Sequence, residues 1–191
     1  MERGDDMYFA KERVNIITNE LAGLTTVQSL PISGIRIKKG FYLTPAEADA
    51  AASPYEPFGE GSHWDGPDDH YWFTFDLTVP ESFDGKPLWL YFCTQKTYWD
   101  AVNPQFLLFV NGAPLQGVDI NHRETLVTPS AKAGDTYRVD LQAYTGRDTN
   151  EHAGESFALD LYAFMQQRDP EIQRLFYNLT IPAEIIGWLD K

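Results

Sequence analysis

The middle of the chain, residues 71–165, alternates between apolar and polar positions with a period of two. This alternation is typical of β-strands that turn one face toward a core. The predicted strands are 71–79, 88–93, 106–110, 115–118, 124–128, 137–143 and 157–163. The first is expected to keep one face mostly polar, and the second, apolar throughout, to be central. No helical periodicity separates the strands, so the pattern favours an antiparallel β-sandwich over a βαβ fold.

Turn and cap signals refine this picture. Asn111-Gly112 lies between two strand-like runs and predicts a tight hairpin, because both turn positions favour positive φ. Prolines and glycines punctuate residues 24–70, where only 32–37 is predicted to form a strand. Within that stretch, Thr44-Pro45 resembles a helix cap followed by proline at the first helical position. A short helix is therefore predicted over residues 46–52.

A helix is predicted at each end of the chain. The apolar face of the first is formed by Ala10, Val14, Ile17 and Leu21. Gly23 is expected to end it. In the second, Asp169 and Pro170 predict a capped start, and Pro182 is expected to kink or restart the helix. Its apolar face is formed by Ile172, Leu175, Phe176 and Leu179, and continues through Ile185, Ile186 and Leu189. This face reaches the end of the sequence and is expected to pack against a partner.

Composition and charge exclude several classes of protein. The 191 residues are 43% hydrophobic, with a single cysteine, so an internal disulfide and a cysteine-based zinc finger are both excluded. The formal net charge of −13 is spread along the chain and argues against binding to nucleic acid or to an anionic membrane. No apolar run is long enough to span a membrane. The first residues lack a secretory signal, so a cytoplasmic location is expected.

The densest polar and aromatic stretch is residues 61–72, which include Trp64, Asp68, His70 and Trp72. Aromatic faces can stack on a pyranose ring, and carboxylates can accept hydrogen bonds from its hydroxyls. These residues are therefore candidates for carbohydrate binding or for docking another domain. The alternative is that the tryptophans close one end of a sandwich. The spacing of the two histidines in this stretch matches no standard zinc site.

Two further loops combine similar groups. Trp99, Asp100 and Asn103 lie between predicted strands, and Asn121 and His122 belong to a polar loop after the hairpin. The second loop is expected either to cap backbone groups of its own domain or to dock another domain. The sequence contains no Gly-x-Ser-x-Gly elbow and no phosphate-binding glycine loop. The lone cysteine lies in an apolar strand, where it is expected to be inert.

The run EGSHWDGPDDHYWFTFDLTVPESFDGKPLWL resembles the N-terminal β-sandwich domain of bacterial α-mannosidases of glycoside hydrolase family 38. The matching positions are Gly61, Trp64, Gly66, Asp68, His70, Trp72, Phe73, Val79, Pro80 and Glu81. The segment NPQFLLFVNGAPLQGVDINHRETLVTPSAKAGDTY is similar to the hairpin, Asn-His and Ala-Lys-Ala-Gly motifs of the same family. Ser62 and Asp65 depart from the family pattern, which usually has Asp and Gly there.

The resemblance implies a mainly β protein, a galactose-binding-like jelly-roll sandwich flanked by an N-terminal and a C-terminal helix. The implied divisions are an N-terminal helical segment over 1–30, the sandwich over 31–166, and a C-terminal helix over 167–191 that leads toward a catalytic domain. The implied function is that of a non-catalytic domain of a retaining, zinc-dependent α-mannosidase, supporting the catalytic domain and the edge of its substrate cleft.

The same resemblance implies that the zinc ligands and the nucleophilic aspartate lie downstream. No cofactor and no catalytic residue are then expected within these 191 residues, which alone should have no activity. The implied partners are the catalytic domain of the parent chain, mannosides, and further copies in a homo-oligomer.

Two other functions stay open at this point. The chain could be a free-standing carbohydrate-binding module, which requires at least one exposed tryptophan face. It could also be a small jelly-roll hydrolase or isomerase that holds a metal through converging histidines. The histidines are His63, His70, His122 and His152.

Overall fold

The computed structural model of the chain describes residues 5–94, 104–146 and 159–189. The helices are α1 (Asp5–Leu24), α2 (Pro45–Ala50) and α3 (Pro170–Leu189). The strands are β1 (Thr26–Pro31), β2 (Arg36–Lys39), β3 (Glu56–Pro57), β4 (His70–Thr78), β5 (Leu88–Cys93), β6 (Gln105–Val110), β7 (Ala113–Val118), β8 (Glu124–Thr128), β9 (Thr136–Tyr144) and β10 (Tyr162–Arg168). None of the described helices is long and apolar enough to cross a membrane.

The strands form two sheets. One has the order β1-β10-β5-β8, and the other the order β3-β2-β4-β9-β6-β7. Within the larger sheet each pairing is antiparallel, and so is the β5–β8 pairing of the smaller one. The mainly β, antiparallel architecture expected from the period-two pattern is confirmed.

The chain divides into two compact units. One unit comprises Met1–Ser29 and Gln166–Lys191, in which α1 and α3 pack against each other. The other, Leu30–Met165, contains the apolar core of the two sheets. That core is built from alternating residues of the long strands, since every second side chain of a strand points to the same side.

The β4–β9 pair is the longest ladder of the larger sheet, from His70↔Tyr144 to Thr78↔Thr136. One face of β4 enters the main core, as the alternation predicts. The other face is polar and exposed only toward the end of the strand. Near its start Trp72 is buried in a second apolar cluster with Ala48 of α2 and Phe109 of β6. The expectation of a mostly polar second face was therefore wrong for that part of β4, because α2 covers it.

The local turn and cap predictions are confirmed. The Thr44 hydroxyl accepts a hydrogen bond of 3.2 Å from the Glu47 N–H at the start of α2. Asn111 and Gly112 adopt φ values of 51° and 80° in the β6–β7 hairpin. Asp169 Oδ1 accepts from the backbone N–H groups two and three residues on, at 2.9 and 3.0 Å, and so caps α3.

Four element boundaries differ from the prediction. The strand expected over 32–37 is replaced by β1 and β2, with a bend between them at Gly34, whose φ of 74° interrupts an extended chain. Of the strand expected over 157–163, residues 157 and 158 lie outside the described residues, and the described strand, β10, spans Tyr162–Arg168. Helix α1 runs through Gly23 and ends at Leu24. Helix α3 continues through Pro182 without restarting.

Candidate functional site

Two of the loops that carry candidate residues, the one before β4 and the one after β7, meet at one end of the larger sheet. His70, the first residue of β4, pairs with Tyr144 at the end of β9. Tyr144 also pairs with Gln105 at the start of β6, and the next residue of β6, Phe106, pairs with Val118 at the end of β7. The loop before β4 and the loop after β7 therefore leave the sheet at the same end. We call this region, residues 59–70, 118–124 and 144–146, the loop end.

Asp68 is held at the loop end by both its backbone and its side chain. It has a φ of 58°, a left-handed conformation that is uncommon outside glycine but tolerated by aspartate. Its N–H donates to the Gly146 carbonyl at 2.7 Å, and its Oδ1 accepts from the Tyr144 hydroxyl at 2.7 Å. The next residue, Asp69, accepts at its carbonyl from the Thr145 N–H and donates its own N–H to the Thr145 hydroxyl. These bonds tie the loop before β4 to the end of β9.

Gly66 lies within the same loop and has no room for a side chain. Its φ is 111°, and a Cβ atom there would lie 1.9 Å from Asp69 Oδ2. That oxygen accepts a hydrogen bond of 2.7 Å from Lys39 Nζ at the end of β2. The pKa of the Lys39 ammonium is raised, chiefly by this hydrogen bond to Asp69. The glycine thus permits the contact that joins the loop to β2.

Three aromatic rings form a contiguous group at the loop end, which we call the ring stack: Phe41, His70 and Tyr144. His70 stacks on Tyr144 with 5.0 Å between ring centroids and 29° between planes. Phe41 meets His70 edge to face at 4.8 Å and is 63% exposed. The sequence singled out only His70 of these three, because nothing local marks the other two rings as its neighbours.

Trp64 and Trp72 belong to the core and not to the surface. Trp64 is 2% exposed and meets Tyr71 and Phe73 edge to face at 5.5 and 5.3 Å. Its indole N–H donates to the Asp160 carbonyl at 3.3 Å. Trp64 closes the loop end of the sandwich, and Trp72 packs under α2. Neither indole presents a face to a sugar or to another domain, so the structure corrects the expectation that they are binding residues.

The loop with Asn121 and His122 is capped by its own aspartate. Asp119 Oδ1 accepts from the Asn121 N–H and the His122 N–H, both at 2.8 Å, and lies 3.0 Å from His122 Nδ1. Burial raises the pKa of Asp119, but these hydrogen bonds outweigh it and the net shift is downward. The side chains of Asn121 and His122 remain exposed. The loop therefore caps its own backbone groups, which is one of the two alternatives expected from the sequence. Its exposed side chains stay candidates for docking another domain.

The three histidines that the structure describes do not converge on one point. His63 Nδ1 lies 2.7 Å from Asp160 Oδ1, His70 is in the ring stack, and His122 contacts Asp119. Within the described ranges, no group of three or more His, Cys, Asp or Glu side chains could hold a metal ion. His152, together with Trp99, Asp100 and Asn103, lies outside the described residues. Cys93, which the sequence placed in an apolar strand, is half-buried and lies 3.8 Å from Arg123 Nη1.

A buried charge cluster that the sequence did not indicate lies under α2. Asp140 on β9 is fully buried and accepts hydrogen bonds of 2.9 to 3.1 Å from the Arg138 guanidinium. Arg138 also bridges to Asp49 of α2 at 2.7 Å. The hydrogen bond from Arg138 lowers the pKa of Asp49. Burial, with the two carboxylates nearby, raises the pKa of Tyr55 to about 12. This cluster holds α2 on the sheet.

A sequence profile described as "Alpha-mannosidase, jelly roll domain" matches residues 31–171. The chain belongs to this family. The resemblance to the N-terminal domain of α-mannosidases drawn from the sequence motifs is thereby confirmed, and the sandwich is a jelly roll. Among curated proteins, none matches the chain.

Solved structures share the fold of the jelly roll domain. A β-glucuronidase from Ruminococcus gnavus in complex with C6-substituted uronic isofagomine has a TM-score of 0.50 at 11% identity, covering 75% of this chain and 29% of its own. The same enzyme in complex with D-glucaro 1,5-lactone has a TM-score of 0.50 at 12% identity, covering 75% and 30%. At these identities the likeness is one of fold alone. The chain therefore spans less than a third of the enzyme chains that it matches.

Proposed function

We propose that this chain is the non-catalytic N-terminal domain of a retaining, zinc-dependent α-mannosidase of glycoside hydrolase family 38, and that it supports the catalytic domain and the edge of its substrate cleft. The family match over residues 31–171 carries this proposal. The zinc and the nucleophilic carboxylate would be held by the catalytic domain. We also propose a cytoplasmic location, which the content of a single cysteine supports.

The carboxylates of the loop end support a structural role. Asp68 accepts from Tyr144, Asp69 from Lys39, and Asp119 from the backbone of its own loop. A retaining glycosidase needs two carboxyl groups that face each other across a scissile bond, about 5 Å apart. Here the carboxylates of Asp68, Asp69 and Asp119 are each engaged by a hydrogen-bond donor that positions a loop. These contacts fix the shape of the loop end.

Helix α3 supplies the surface that we assign to contact with the catalytic domain. None of its described side chains is buried. Leu175 and Leu189 are exposed, as expected from the sequence, and Leu189 has an exposed fraction of 79%. Ile172 is half-buried. Ile181 and Ile185 add to the exposed apolar area. Apolar patches of this kind on soluble proteins usually mark interaction sites. In the isolated chain, where the catalytic domain is absent, the same surface is expected to pair two copies. We also propose that the parent enzyme is a homo-oligomer.

The test measures hydrolysis of p-nitrophenyl α-mannoside with added zinc. The chain is assayed alone and after co-expression with the catalytic domain encoded downstream in its gene. We expect no hydrolysis by the chain alone. When the chain is co-expressed with the catalytic domain, we expect the activity to be gained or stabilised. Activity of the 191-residue chain by itself would overturn the proposal.

Variants of α3 locate the contact. Replacing Ile181 and Ile185 together by aspartate should reduce co-purification with the catalytic domain at least about tenfold, because each aspartate would have to be desolvated in the interface. Leu115→Asp is the matched control, since Leu115 is an exposed apolar residue on β7, away from α3 in sequence. Equal losses in the two variants would contradict the assignment of the contact to α3.

A further inference from the structure

We propose that the ring stack, together with Asp68, is a carbohydrate-binding site for a neutral pyranoside on the surface of the jelly roll domain. This inference rests on the proposed function, since it assigns to the supporting domain a direct contact with the sugar substrate of its enzyme. The proposed site uses the rings of Phe41, His70 and Tyr144, and not the two buried tryptophans, to contact the sugar.

Phe41 provides the apolar face. Its ring is held by the edge contact with His70 but stays 63% exposed. An aromatic ring of this kind is costly to leave in water and gains by covering an apolar ligand surface. The C–H face of a pyranose is such a surface, and its flat shape matches a single open ring. Small-ligand sites typically combine such aromatic contacts with a few placed polar groups.

His70 provides the polar group. Its ring is half-buried, and neither ring nitrogen makes a hydrogen bond to any residue that the structure describes. A neutral imidazole carries one donor and one acceptor. A sugar hydroxyl can serve both, because it donates and accepts. The imidazole lies between the exposed ring and Tyr144, so a pyranoside on Phe41 would bring its hydroxyls to the His70 edge.

The group is preorganised before any ligand arrives. The β4–β9 register places His70 opposite Tyr144, and the Tyr144 hydroxyl is fixed on Asp68 at 2.7 Å. The Gly40 N–H donates to the His70 carbonyl at 2.9 Å and so positions the residue before Phe41. A site that is already ordered loses little side-chain entropy on binding, which favours even a weak ligand.

The charges nearby favour an uncharged sugar. Lys39, the cation next to this group, is paired with Asp69 at 2.7 Å. Asp68 contributes a carboxylate, and the whole chain carries a net charge of −13. Among the described residues of this group, an anionic glycoside such as a glucuronide would meet repulsion from the Asp68 carboxylate. A neutral hexose carries no charge and meets no such repulsion.

The experiment titrates the 191-residue chain with an α-linked mannobiose and follows its backbone amides by NMR. We expect saturable shifts at millimolar ligand, confined to residues around positions 41, 70 and 144. Phe41→Ala should weaken binding about tenfold, a loss of about 1.4 kcal/mol. His70→Phe keeps an aromatic ring but removes the hydrogen bonds, and should weaken binding several-fold. Glucuronic acid should bind more weakly than mannobiose.

Leu43→Ala is the matched control, because Leu43 is 64% exposed, two residues from Phe41 and outside the ring stack. Equal affinity for the Phe41→Ala and Leu43→Ala variants, or no saturable shift at all, would overturn the inference. So would protection of the ring stack by the catalytic domain without any sugar binding, since the rings would then be a protein contact.

The proposed function is tested separately in the same variants. Phe41→Ala should lose mannobiose binding while still stabilising the catalytic domain in co-expression. If the chain does not bind sugar but still stabilises the catalytic domain, only the proposal of the sugar site is contradicted. If support of the catalytic domain is absent in the unmodified chain, the proposed function falls whatever the titration shows.

Discussion

The Tyr144 hydroxyl donates a hydrogen bond of 2.7 Å to Asp68 Oδ1 and joins two residues 76 positions apart in the chain. It ties the end of β9 to the loop before β4 at the point where the chain turns through a left-handed Asp68. The loop that looked from its composition like a free polar segment is therefore held in one shape by the sheet beside it.

Tyr144→Phe should lower the free energy of unfolding by about 1 kcal/mol, because it removes this hydrogen bond and leaves Asp68 without that donor. The phenyl ring keeps the stack on His70. Urea denaturation of Tyr144→Phe, Asp68→Asn and the double variant measures the coupling. Additive losses would show that the two side chains do not interact in solution.

Gly66→Ala should destabilise the protein more than Gly85→Ala. Both glycines have positive φ, 111° and 69°, so both substitutions strain the backbone. Only at Gly66 would the new Cβ meet a neighbour, at 1.9 Å from Asp69 Oδ2, while at Gly85 nothing lies within 4 Å. The Gly66 variant must therefore also displace Asp69 and break its contact with Lys39. Thermal unfolding of the two variants checks this, and equal shifts in Tm would argue against a tight loop.

Arg138→Met should cost about 3–5 kcal/mol of stability, because it leaves the fully buried Asp140 carboxylate without its partner. Asp49→Asn removes only the partly exposed partner of the same guanidinium and should cost less than about 1 kcal/mol. Chemical denaturation of both variants separates the buried pair from the surface pair. A loss for Arg138→Met no larger than that for Asp49→Asn would contradict the burial of Asp140.

Acidification should weaken the attachment of α2. The hydrogen bond from Arg138 lowers the pKa of Asp49 in the folded chain. A carboxyl group with a lowered folded pKa stabilises the fold above its unfolded pKa, about 4, and loses that contribution as pH falls through the folded pKa. Asp49→Asn should therefore make stability fall less steeply between about pH 5 and pH 3.

The control for this pH dependence is Asp76→Asn. Asp76 is exposed on β4 and forms no ion pair with any residue in the described part of the chain. Its replacement removes one carboxylate without removing an ion pair, and so reports the effect of lost charge alone on the slope of stability against pH. Identical slopes for the unmodified protein and the Asp49→Asn variant would exclude Asp49 as a source of acid sensitivity.

Trp64→Ala should cost about 3–5 kcal/mol, because the indole fills the loop end of the core and its removal leaves a cavity. Phe41→Ala, at an exposed ring, should cost less than about 1 kcal/mol. Urea denaturation monitored by circular dichroism compares them. A small loss for Trp64→Ala would mean that the indole is free to leave the core.

Local signals explain why much of the fold could be predicted. The Asn111-Gly112 turn, the Thr44 cap and the Asp169 cap depend on backbone preferences of a few neighbouring residues, and each lies where the sequence placed it. The ends of the strands were harder to predict, because the alternation of apolar and polar residues does not itself mark where a strand ends. The bend at Gly34 and the bounds of β10 are the boundaries that the alternation did not predict.

The candidate site was predicted only in part. The sequence marked Asp68 and His70, and both lie at the loop end. It could not foresee that the neighbouring indoles would be buried, since a tryptophan next to polar residues suits a core as well as a surface. Nor could the sequence predict the contact between Phe41 and His70, because that contact depends on the pairing of β2 with β4.

The order of amino acids specifies the alternation that makes this chain a sandwich, the turns and caps that divide it, and the motifs that mark its family. These features depend on residues that are close together in the chain. Contacts between distant segments establish which aromatic rings are buried, which loops share one end, and that Arg138 neutralises Asp140 under α2. Those relationships join residues far apart in the chain, and only the pairing register of the strands brings them within contact distance.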